Sequence, residues 1–131
     1  MTFIKAKGVP LAITIFAILM GVGGTVIGIS ALVDPTTAID FVDGADKMGT
    51  AWAGRNLGLG VAMLAAVLLR HAAGYAAAFA GAIWREFSDV LAGTLDGGSF
   101  NVPFALIFVV ELVCLAICVQ ATLAQRQAEA S

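Results

Sequence analysis

Apolar residues in this chain run on rather than alternate with polar ones, in four stretches separated by polar connections. Pro10 to Val33 is the first and cleanest, Thr50 to Leu69 the second, Ala72 to about Gly93 the third, and Phe104 to about Leu123 the fourth. A helix rises about 1.5 Å per residue, and about 20 apolar residues cross ~30 Å of hydrocarbon, so each run approaches or exceeds one span. The pattern predicts an all-α fold: a single integral membrane four-helix bundle over residues 1–131, with helices at about 10–33, 50–69, 72–93 and 104–123. The long connection is Asp34 to Gly49.

Composition agrees with this pattern. With 60% hydrophobic and 12% charged residues, the chain has too little polar surface to cover a soluble domain. No internal repeat is evident. Lys5 and Lys7 before the first run, with small residues around Ala31, resemble a signal peptide, but an apolar core of this length exceeds the ~7–15 residues of such a segment. It is therefore expected to stay as a helix. Lys5, Lys7, Arg70 and Arg126 lie at the start, in the second connection and in the tail. The first connection carries Asp34, Asp40, Asp43 and Asp46 against Lys47, and the third has Asp96. This bias puts both termini in the cytoplasm.

With that topology, the unusual polar residues share a depth. Arg55 and Asn56 lie about one and a half turns into the second helix, Arg85, Glu86 and Asp89 in the last third of the third, and Glu111 about two turns into the fourth. Glu111 stands out, because an ionisable group inside a span costs roughly 2.5–3.5 kcal/mol on insertion scales and needs a partner or a use. Arg85 and Asp89 are one turn apart on one face, and Glu86 lies near Asp89 by the i,i+3 relation. A guanidinium offers five donors and stays charged, so at least one bidentate Arg–Glu111 contact is expected. The competing reading is structural. Trp52 and Trp84 suit an interfacial belt, Arg85, Glu86 and Asp89 then form a wetted helix end, Arg55 snorkels, and Glu111 is half of a packing ion pair.

Small residues recur at helical spacing in Gly24/Gly28, Gly54/Gly58 and Gly74/Ala78/Ala82. Helix contact within the chain explains them, and a homo-oligomer is the sharper alternative. Cys114 and Cys118 sit one turn apart on one helix, a poor geometry for a disulfide, and are expected as buried free thiols. His71 lies at the opposite end from Glu111, beside Arg70 in a short turn facing water or headgroups. No metal or cofactor signature follows from these spacings. Asp34-Pro35-Thr36-Thr37 reads as a helix stop and turn, Asp40-Phe41-Val42 as an interfacial segment or a lid, Leu95 to Asn101 as a flexible turn, and the tail after Gln125 as frayed.

Gly54-Arg55-Asn56-Leu57-Gly58-Leu59-Gly60 opening the second helix, followed by acidic and basic residues late in the third, resembles the small bacterial four-helix membrane proteins near the DoxX-like families. The resemblance covers most of the length on few residues. It implies a compact four-helix bundle in a bacterial inner membrane, with the Arg55 region in its polar interior. Some relatives serve thiosulfate or quinone redox complexes, for which this chain lacks metal or thiol signatures.

Three functions follow as expectations. The first is acid/base catalysis on a small lipophilic substrate, of the isomerase, cyclase or epoxide-opening hydrolase type. Glu111 would be the acid, Asp89 or Glu86 the base, and Arg55, Arg85 and Asn56 the substrate-binding groups. The second is a non-catalytic subunit of a membrane complex, binding an anionic headgroup or bracing a partner. The third is a proton-coupled transporter, which needs an ionisable path to the inner face that the inner helix halves do not supply. Expected partners are the lipid bilayer and a small lipophilic or anionic ligand, without nucleic acid.

Overall fold

A computed structural model describes residues 6–34, 45–95 and 102–131, with side chains described at 6–34, 51–91 and 105–131. Four helices make up the described chain: α1 Leu11–Val33, α2 Ala45–Leu69, α3 Ala72–Leu95 and α4 Val102–Ala130. The expected interfacial segment at Asp40-Phe41-Val42 and most of the turn from Leu95 to Asn101 lie outside the described residues.

Local chemistry accounts for the helix ends. Pro10 precedes α1 with φ −59° and ψ 145°, and its carbonyl accepts from the amides of Ile13 and Thr14. Proline suits this entry because its fixed φ is already set for the chain to turn helical. At the other end, Asp34 is extended, and its N–H donates to the Ser30 carbonyl at 2.8 Å. α2 stops at Arg70, whose φ of 54° is left-handed and whose N–H donates to Ala66 O at 3.1 Å. This is the position where helices usually place glycine, because a side chain crowds the backbone there. The tail expected to fray is instead helical as far as Ala130. Its alanines, glutamines and Glu129 favour helix intrinsically, so the helix continues without a buried face.

α1 packs most extensively on α2, α4 packs on α3, and α3 meets α2. The α1–α2 seam is backbone against backbone. A Cβ added at Gly28 would fall 2.6 Å from Leu57 N, and one at Gly60 would fall 2.5 Å from Thr25 N. Gly21 and Gly24 complete the seam on α1, whereas a Cβ added at Gly54 or Gly58 would meet nothing within 4 Å among the described residues. The glycine pair that α1 uses is thus the expected one, but its partner on α2 is Gly60. α3 lies between α2 and α4, and Tyr75, Phe79, Ala82 and Glu86 form a buried stripe along it. Phe79 stacks on Phe16 of α1, with ring centroids 6.1 Å apart.

Leu19, Val26, Leu68, Leu69, Trp84, Leu106 and Val113 are exposed on the outer faces, a girdle too apolar for water. Three helices, Leu11–Val33, Ala51–Leu69 and Ala105–Ala130, are long and apolar enough to cross a membrane. α3 has the length, about 36 Å at 1.5 Å per residue, but carries Arg85, Glu86 and Asp89 in its last third. Arg85 and Asp89 turn toward α2.

Candidate functional site

Two arginine-centred contacts join α2 and α3. Arg85 Nη2 donates to Glu86 Oε1, and Arg85 Nη1 donates to Asn56 Oδ1 at 3.1 Å. Asn56 Nδ2 in turn donates to Trp52 O at 2.9 Å, so the amide is fixed in orientation by its own helix. The second contact, Arg55 Nη2 to Asp89 Oδ1 at 2.5 Å, lies at a rim where both side chains are about one third exposed. Arg85 and Glu86 are therefore part of the buried interior and do not form a wetted helix end. Trp84 points the other way at 70% exposure, with Phe87 against it at 5.8 Å.

Glu111 projects from α4 with 0% exposure, and neither carboxyl oxygen has a hydrogen-bond partner among the described residues. The expected bidentate arginine contact is absent. Helix packing explains this: α4 meets α3, while the main neighbours of α2 are α1 and α3, so Arg55 is committed to Asp89. Arg85 divides its guanidinium between Glu86 and Asn56. Glu86 and Arg85 are nevertheless near enough to act on Glu111 electrostatically. Glu86 is 2% exposed, and its second oxygen is also unpartnered, as is Arg55 Nε. Buried polar atoms of this kind are uncommon and call for an explanation, since each forfeits about 1–3 kcal/mol.

The arrangement unites Glu111, Glu86, Arg85 and Asn56 in the interior and sets Arg55 and Asp89 at its edge. Cys114 and Cys118 are free and buried, on the stripe of α4 that begins at Glu111. Among the described residues, no three His, Cys, Asp or Glu side chains converge on a metal position. Sequence reasoning missed the buried polar pair at the other end, where Tyr75 Oη donates to Thr14 Oγ1 across a long 3.4 Å. The signal for it was available. Tyr75, Phe79, Ala82 and Glu86 are spaced four, three and four apart, the seam of a packed helix, and this spacing alone places both Tyr75 and Glu86 inside.

Comparison with protein-family models, curated proteins and solved structures found no match to this chain.

Proposed function

We propose that the bundle lies in a membrane of the bacterial inner-membrane type, with both termini cytoplasmic, and performs acid/base chemistry on a small lipophilic substrate. The orientation is supported by the gathering of Lys7, Arg70 and Arg126 at one end. The chemistry is supported by one observation: two buried carboxyls in electrostatic reach of each other are treated unequally. Glu86 has a guanidinium on one oxygen, and Glu111 has no partner on either. Carboxyl groups whose surroundings differ in this way divide into an acid and a base.

In this reading Glu111 delivers a proton to an alkene carbon or an epoxide oxygen. Glu86, paired with Arg85, then removes a proton from the substrate or from an attacking water. Arg85 and Asn56 orient the polar end of the ligand, and the Arg55–Asp89 rim marks the entrance. The catalytic set is thus Glu111 and Glu86, with Asp89 at the mouth. The resemblance to DoxX-like proteins belongs to the same proposal and rests on the Gly54 to Gly60 motif and the acidic and basic residues late in the third helix.

A non-catalytic subunit is the second reading. It draws on the open face at Gly54 and Gly58, where a partner helix can approach closely. A proton-coupled transporter is the third, and it needs a polar path past Cys114 and Cys118 toward the Tyr75–Thr14 pair.

The test uses the full chain in nanodiscs, supplied with a panel of alkenyl and epoxy lipids in heavy-isotope water. Wild type is expected to place solvent deuterium or oxygen into one lipid class, and Glu111→Gln to reduce that incorporation by about 100-fold or more while melting no earlier. Incorporation that is independent of the protein across the panel, or undiminished in Glu111→Gln, rejects catalysis.

A further inference from the structure

The opposite end of the bundle holds a cleft that the acid/base reading does not use. Lys7, Gly8, Arg70, His71 and Gln125 line about 480 Å³ of space where the N-terminal segment, the α2–α3 turn and α4 meet. A smaller cleft of about 180 Å³ shares His71, Gln125 and Glu129 with it and adds Arg126. Three cationic side chains thus face one carboxylate, Glu129. We propose that this cleft is a binding site for the phosphate headgroup of an anionic phospholipid.

Three observations carry the assignment beyond a general excess of positive charge. The first is that Lys7 is held in place. Its carbonyl accepts from Gln125 Nε2 at 2.6 Å, its neighbours Ala6 and Val9 are buried, and Gly8 takes a φ of +80° so that the segment can lie on Ala121. The second is that Arg70 is the single non-glycine residue with positive φ among the described residues. A left-handed conformation crowds the backbone of a side-chain-bearing residue, and a glycine there would avoid it. Keeping an arginine at this position sets a cationic residue in the lining of the cleft at the expense of the helix cap. The third is the adjacent surface. Leu68 and Leu69 are 79% and 75% exposed immediately before Arg70, and Leu123 is exposed on α4. Apolar side chains bordering a cationic cleft match a ligand with acyl chains joined to a phosphate, whereas free phosphate has no use for them. The first turn of α3 also reaches the smaller cleft, at Ala73.

The experiment is lipid capture by the full chain in vesicles of phosphatidylcholine mixed with phosphatidylglycerol, followed by native mass spectrometry and thermal melting. Wild type is expected to retain phosphatidylglycerol selectively. Arg70→Gly should lower that selectivity about fivefold, the usual contribution of one cation near an anionic surface, while melting at the same or a higher temperature in detergent. Lys7→Gln should lower it by a similar factor. Excess inorganic phosphate should not displace the lipid. Equal retention of the two lipids, unchanged selectivity in both variants, or displacement by inorganic phosphate would each overturn the assignment, the last in favour of a soluble anion.

Discussion

The two halves of this bundle are glued differently. α1 and α2 meet through Gly21, Gly24, Gly28 and Gly60, so closely that no side chain fits between their backbones at Gly28 and Gly60. α3 and α4 meet through side chains, and their contact encloses Glu86, Glu111, Cys114 and Cys118. Close backbone packing gains dispersion from many atoms and leaves no room for anything else, so that seam is rigid and chemically silent. A seam of longer side chains has gaps that carboxyls can occupy. In this molecule the closest backbone approach lies in the first seam, and the unpartnered oxygens of Glu86 and Glu111 lie in the second.

The contrast can be broken at several points, and the largest effect is expected at Arg85. Arg85→Met would strand the Glu86 carboxylate without its counterion, and losing one partner of a buried pair typically costs about 3–5 kcal/mol, measurable by chemical denaturation in detergent. Next is the glycine seam. Gly28→Ala and Gly60→Ala each place a Cβ against backbone and should lose about 1–3 kcal/mol by the same measurement, with Gly54→Ala as the internal control that loses none. Glu111 sharpens the comparison because its effect should have the opposite sign. Glu111→Met keeps the shape, removes two unsatisfied oxygens and should gain about 1 kcal/mol or more, whereas a loss of stability would mean that the carboxyl has a structural partner after all. The smallest effect belongs to the rim. Arg55→Gln should change stability by less than about 1 kcal/mol, because partly exposed ion pairs are screened. A larger loss would place Arg55 in the interior with Arg85.

Much of the fold was legible because a helix long and apolar enough to cross a membrane is specified by length and apolar content, properties that can be summed along a chain without knowing any contact. The ends of α1 followed from Pro10 and Asp34, and the cluster of Arg55, Asn56, Arg85, Glu86, Asp89 and Glu111 was recognisable because each interrupts an apolar run. The end of α4 was misread, since polar residues after Gln125 suggest fraying only when helix propensity is ignored.

What the residues alone determined, then, is an inventory: four helices, three of them apolar enough to cross a membrane, and six polar groups set among them. Only the tertiary structure decided the pairing. Arg55 takes Asp89, Arg85 takes Glu86 and Asn56, and Glu111 is left with neither arginine. The physical reason is that depth along a helix can be counted from sequence, whereas the rotation and neighbours of that helix depend on which small residues let two backbones touch. Gly60, rather than Gly54 or Gly58, seats α2 against α1, and that contact sets which face of α2 remains for α3.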